Sequence, residues 1–185
     1  MIQLGYESLE IRGDRKRLLV EDLVKIIEAS NPDIVYTHNP ADKHLTHVSV
    51  CVAVIEAIRK LEQSKRPKSL FGCEVWRGLD WLSDDEKISF DVGGDDTFAK
   101  KLIAVHESQI GYGKDYVGGI IGRRAANAVF GDPYGANDPS AISLAINLTP
   151  LICDDSKGVI EYVLSLIEDF KKDVQTRLEV GIGRK

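Results

Sequence analysis

Pro32-Asp33-Ile34-Val35-Tyr36-Thr37-His38-Asn39-Pro40-Ala41-Asp42-Lys43-His44-Leu45-Thr46-His47 is the stretch that decides the fold. Ile34 to Thr37 is a β-branched and aromatic run of the kind buried in a parallel sheet. Before it, Leu19, Leu23, Ile26 and Ile27 recur at helical spacing over Lys16–Ala29. Asn31-Pro32-Asp33 stops that helix, because proline bars αR geometry at the residue preceding it. After the run, Val48, Cys51, Val52, Ile55 and Ile58 draw an apolar stripe down a second helix reaching about Gln63, with Thr46 as its N-cap. Helix, strand, polar loop and helix in this order predict an α/β fold. Loops leaving the carboxyl end of a strand are where open α/β sheets place their ligands.

Working outward, Ile2–Tyr6 reads as the tail of a strand, and Ser69–Trp76 and Lys87–Val92 as two more, separated by a loop holding Asp80, Asp84, Asp85 and Glu86. Helical patterns come next over Thr97–Gln109 and Lys114–Phe130. Gly131-Asp132-Pro133-Tyr134-Gly135 is a turn, and Ser143–Leu148 a further strand. From Lys157 to Leu178, the residues Ile160, Val163, Leu164, Ile167, Phe170, Val174 and Leu178 mark a long amphipathic helix, which must bury its stripe on its own core or on a neighbouring subunit. No internal repeat or linker divides the sequence. Residues 1–185 are therefore expected to form a single α/β domain.

The chain of 185 residues carries 24 Lys+Arg against 29 Asp+Glu, a net charge of −5, so nothing draws it as a whole to nucleic acid or to an anionic membrane. No apolar run approaches the roughly 18–20 residues that a bilayer span needs, and the start lacks the charged-then-apolar order of a signal peptide. A cytoplasmic protein is the expectation. Cys51, Cys73 and Cys153 are far apart and form no CxxC pair, which points to reduced thiols rather than disulfides or zinc ligands.

Chemistry concentrates in one place. Of four histidines, His38, His44 and His47 fall within ten residues. His44 and His47 are three apart at a helix start, so their rings can converge, and Asp42 is near enough to orient an imidazole by accepting its N–H. Neutral imidazoles beside a carboxylate suit Zn²⁺ or a similar divalent ion, although capping or packing roles give the same spacing. Elsewhere the readings are plainer. Gly93-Gly94-Asp95-Asp96-Thr97-Phe98 is a turn with Asp95 or Asp96 capping the next helix. Gly118-Gly119-Ile120-Ile121-Gly122 has no strand leading into it and is not a dinucleotide fingerprint. Arg123-Arg124 are solvated helix charges, and Ser108 with His106 lacks a carboxylate orienter.

The stretch from Pro32 to Pro40, followed by Asp42-Lys43-His44-Leu45-Thr46-His47, resembles the second signature of the PIG-L/LmbE-like zinc-dependent N-deacetylases, an Asp, a spacer and His-Pro-Asp-His. His106-Glu107-Ser108-Gln109 resembles the family's His-x-Ser-Gln, and Gly122–Phe130 the segment after it. Leu4-Gly5-Tyr6 resembles a strand end ahead of the signature. The likeness runs from Leu4 to about Tyr134. It implies a Rossmann-like layered sheet with helices on both faces. It also implies removal of acetyl from an N-acetylglucosamine-type substrate, with Zn as cofactor and His47 as the zinc ligand. His44 would polarise the substrate carbonyl and Asp42 would support the loop. Trp76, Arg77 and His106 are the candidate substrate-binding residues; the strand-end position of Trp76 suits stacking on a sugar, with a core or interface tryptophan as the commoner reading.

Two departures from the pattern bear on activity. Leu45-Thr46 stands where the family has Pro-Asp, which removes the carboxylate that would pair with His44. The first signature, Ala-His-Pro-Asp-Asp, is missing with its histidine ligand, aspartate ligand and general base; the resemblance places it on a strand preceding Met1. Catalytic zinc normally takes three protein ligands. Asp80, Asp91, Asp95, Asp96 and His106 are the candidates for substitutes. The expectation is a zinc-dependent deacetylase that is incomplete as this chain alone, assembled as a homo-oligomer or with a complementing amino-terminal chain. The alternative is a non-catalytic oligomeric or sugar-binding remnant of the same fold.

Overall fold

Asn31 ends the first long helix in the left-handed region, at φ 43°, with its N–H donating to Ile27 O, and Pro32-Asp33 then feed directly into a strand. That junction sets the layout of the computed structural model, which describes residues 2–111, 113–131 and 139–183. In chain order the elements are α1 (Ser8–Ile11), α2 (Lys16–Ser30), β1 (Ile34–His38), α3 (Leu45–Arg59), β2 (Ser69–Cys73), β3 (Lys87–Asp91), α4 (Asp96–Ala104), α5 (Glu107–Ile110), α6 (Tyr116–Gly131), β4 (Ile142–Asn147), α7 (Thr149–Cys153) and α8 (Val159–Gly181). The fold is α/β, with a mixed open sheet in the order β1-β2-β4-β3. β1 and β2 are parallel, pairing Ile34 with Ser69 and His38 with Cys73; β2 and β4 are antiparallel, pairing Phe71 with Asn147 and Cys73 with Ala145. A parallel pair needs a crossover, and α3 supplies it.

The chain divides into two compact units, residues 1–88 with 145–185, and residues 89–144. In the first, α3 is the central helix. Its Cys51, Val54, Ile55 and Ile58 are buried with Leu19, Val20 and Ile27 of α2, Leu70 of β2, and Leu148, Leu151 and Ile152 around α7. Burying each large aliphatic side chain contributes about 1.5–3 kcal/mol, so this core is the main source of stability. Two arginines close its far end. Arg59 donates to the carbonyls of Leu151, Asp154 and Lys157, and Arg66 to those of Leu61, Arg59 and Ile152 and to both carboxylate oxygens of Asp155. The second unit holds α4, α5 and α6, and no described residue of α4 or α6 is buried. Asp95 caps α4 as its position suggested, accepting from Phe98 N–H at 2.9 Å. No helix among the described residues is long and apolar enough to cross a membrane.

Several expected boundaries move, each for a physical reason. Ile2–Tyr6 is not a strand, and Gly5 at φ +68° interrupts any extended run there. β2 stops at Cys73 rather than Trp76, because the amides of Trp76 and Arg77 turn away to a carboxylate. Thr46 does not cap α3: the N-cap position is His44, and Thr46 already lies in the first turn. The helix expected over Thr97–Gln109 is two helices, broken at Val105 and at His106, whose ψ of 74° is not helical. The turn expected over Gly131–Gly135 lies outside the described residues, save that Gly131 is the last residue of α6.

Candidate functional site

The carboxyl end of β1 and the start of α3 build the site. His38 is the last residue of β1, and Asn39 comes after it, fully buried; its backbone N–H and its Nδ2 both donate to Cys73 O, at 3.0 and 3.2 Å. This fastens the loop to the end of β2. Gly72 allows the approach. A Cβ there would stand 2.9 Å from Leu148 Cδ1, 3.1 Å from Asn39 Cα and 3.2 Å from His38 O, so a side chain would push the loop aside.

Asp42 organises the turn into α3. Its side chain is wholly buried, Oδ1 accepting from His44 N–H at 2.8 Å and Oδ2 from Trp76 N–H at 3.0 Å and Arg77 N–H at 3.4 Å. Burial pushes this carboxyl up, but the three amides and the neighbouring His47 outweigh it, so its pKa lies below the ordinary value. The ionised form is the one held. His47 Nδ1 lies 3.5 Å from Asp42 Oδ1, a long contact rather than a good hydrogen bond. A proton on Nδ1 facing the carboxylate leaves Nε2 with the lone pair, the arrangement a metal-ligating histidine uses. Burial, ahead of the attraction of Asp42, lowers the His47 pKa and favours the neutral ring.

His38 stacks on His47, ring centroids 4.0 Å apart and planes within 5°; His44 lies 4.6 Å from His47 and 5.7 Å from Trp76. His44, Trp76 and Arg77 are exposed, so they face whatever enters. Thr37 Oγ1, His38 Nδ1, Asn39 Oδ1, Thr46 Oγ1 and His47 Nδ1 are buried polar atoms with no hydrogen-bond partner among the described residues.

The structure thus brings Asp42, His44, His47, Trp76 and Arg77 together in the first unit. His106 belongs to the second unit, exposed at the N-cap of α5. His38 and Asn39 are the contributors that the candidate set omitted. The cluster of three histidines was a visible signal for His38, whereas nothing local marks Asn39 for burial. Of the substitute donors, Asp91 accepts from Gly93 N–H and Asp95 caps α4.

The donor set does not by itself fit zinc. No three His, Cys, Asp or Glu side chains among the described residues converge on one point. His38 cannot join His47 on a common ion, because each lone pair lies in its own ring plane and the planes are parallel and stacked. An ion about 2.0–2.1 Å from one nitrogen, in the plane of that ring, is out of the plane of the other. His47, with His44 tilted 34° from it, is what the chain offers. No protein-family model matches the chain, and no curated protein matches its sequence.

The stack has a measurable signature. Burial, then the charge of His47, lowers the His38 pKa to about 4 from its ordinary 6.5. Between these values the unfolded state holds more protons than the folded one, so stability rises with pH across that window and is lost as pH falls through it. The ceiling is about 3 kcal/mol, and about 1–2 kcal/mol once solvent screening of a partly exposed ring is allowed for. Urea denaturation at several pH values between 4 and 7 shows this slope, and His38→Gln reduces it, His47, whose pKa burial also lowers, contributing the remainder.

Proposed function

We propose that this chain carries one part of the site of a zinc-dependent amide hydrolase that removes acetyl from an N-acetylglucosamine-type substrate, its remaining metal donors coming from outside the described residues. The observation that carries the proposal is the Asp42–His47 pair, a buried ionised carboxylate beside an imidazole that burial keeps neutral. The likeness of the Asp42-to-His47 segment to the PIG-L/LmbE-like second signature supports the substrate class. That likeness also underlies the finer reading of the fold, a Rossmann-like layered sheet with helices on both faces, in a cytoplasmic protein.

The chain's own residues take definite parts. Asp42 fixes the loop by gathering three amides and orients His47. His44, exposed beside Trp76, donates a hydrogen bond to the amide carbonyl of the substrate. Trp76 offers a face for the sugar ring, and Arg77 a charged group at the rim. Thr46 stands where a carboxylate would raise the basicity of His44, and its Oγ1 is buried without a partner among the described residues. That favours a second reading, a sugar-binding module without hydrolysis, in which Trp76 and Arg77 keep their roles.

Acetate release and zinc content decide between them. A polypeptide bearing Ala-His-Pro-Asp-Asp on a strand is added to the purified chain with zinc and a GlcNAc derivative. Stoichiometric zinc and acetate release, both lost in His47→Ala, are expected. Sugar binding that persists with neither zinc nor acetate establishes the binding module, and zinc uptake unchanged in His47→Ala sinks the assignment of the ligand.

A further inference from the structure

Helix α8 carries an apolar seam that its own unit leaves in solvent. Ile160, Leu164, Ile167, Val174 and Leu178 are each 38–69% exposed, whereas Leu166, on the opposite side of the stripe, is buried, and Phe170 packs edge-on against Trp81. The spacing of the exposed set is informative. With Lys171 included, the positions 160, 164, 167, 171, 174 and 178 alternate steps of four and three, the a/d rhythm of a coiled coil, sustained over the whole helix.

We propose that a second copy of this chain covers the seam, its α8 lying antiparallel to the first in a two-helix coiled coil about a two-fold axis. In that arrangement Ile160 faces Leu178 of the second copy, Leu164 faces Val174 and Ile167 faces Lys171, each contact made twice by symmetry. The seam is about 27 Å long at 1.5 Å per residue.

Charge selects the orientation. Lys171 is the one polar residue in the seam and pairs within its helix to Glu168, Nζ to Oε1 3.0 Å. Antiparallel helices place each Lys171 beside Glu168 of the other copy, so the two lysines and two glutamates alternate. Parallel helices set Lys171 against Lys171 in one layer and turn Glu168 of each copy toward the apolar Val163 of the other. A single lysine in such a seam fixes register. A membrane surface is a poorer occupant: Val159–Gly181 contains Glu161, Glu168, Asp169, Asp173 and Glu179 against Lys171, Lys172 and Arg177, the wrong balance for anionic lipid.

Sedimentation velocity on the whole chain at micromolar concentrations tests this. A dimer is expected, and Ile167→Asp, which sets a carboxylate in the middle of the seam, raises its dissociation constant roughly 100-fold or more. Because Ile167 is 41% exposed within the chain, the variant keeps its far-UV circular dichroism and melting curve. Orientation is read in a Cys153→Ser background by mixing Leu164→Cys chains with size-tagged Val174→Cys chains under mild oxidation. Mixed disulfides are expected. A monomeric wild type, a dimer indifferent to Ile167→Asp, homodisulfides in place of mixed ones, or binding to phosphatidylserine vesicles instead of self-association would each overturn the proposal.

Discussion

Asp42→Ala lowers the unfolding free energy by about 3 kcal/mol or more, because it strands three amides at once. His44, Trp76 and Arg77 all donate to this carboxylate from part-buried positions, at 2.8, 3.0 and 3.4 Å, and a hydrogen bond to a charged group contributes about 1.5–3 kcal/mol. Urea denaturation gives the loss, and Trp76 fluorescence reports the release of its own loop. Asp42→Asn is the informative control. Its carbonyl oxygen accepts on one side, while its NH₂ meets donors on the other, so part of the stability returns but the orientation of His47 does not. Acidification acts in the same direction. The carboxyl titrates below its ordinary value in the folded chain, so its contribution is present above the unfolded value and is lost as pH falls through the folded one. Under the proposed function the alanine variant also fails to retain zinc in the presence of the complementing polypeptide, even where mild conditions keep it folded.

Arg66→Ala has an effect of similar size for a different reason. The guanidinium, only 10% exposed, serves five acceptors: three backbone carbonyls and the two oxygens of Asp155, at 2.7 and 2.9 Å. Removing it leaves the carbonyls of Leu61, Arg59 and Ile152 without this donor and takes away one of the two arginine ties between α7 and the end of α3. A loss of about 3 kcal/mol or more is expected. Arg66→Lys recovers little, since a single ammonium cannot span a carboxylate fork and three carbonyls together. The melting temperatures of the two variants, measured side by side, check this: alanine and lysine fall close together and well below the parent. Arg59, bonded to Leu151, Asp154 and Lys157, holds the same corner, so effects at the two arginines are coupled rather than additive.

How much the sequence disclosed tracks how local each determinant is. Proline after Asn31, the β-branched run Ile34–Thr37 and the stripe on α3 act within a few residues, and the helix–strand–loop–helix unit stands where they put it. Asp95 as a cap and the stripe of α8 were legible on the same terms. The end of β2 was not, because it is set by Asp42, more than thirty positions earlier, capturing two amides. The antiparallel placement of β4 beside β2 is likewise a long-range pairing that no local pattern encodes. At the site, the nearness of His44, His47 and Asp42 came from their spacing. The parallel stack of His38 on His47, which bars them from a shared ion, depends on how β1 meets α3 and left no trace in spacing.

The hub at Asp42 couples two loops that are distant along the chain. The amides of His44 and of Trp76 and Arg77 shelter behind one acceptor, so neither loop can swing out to solvent without releasing the other. Deuterium would therefore enter these three amides at a common rate, set by one concerted opening rather than by independent fraying.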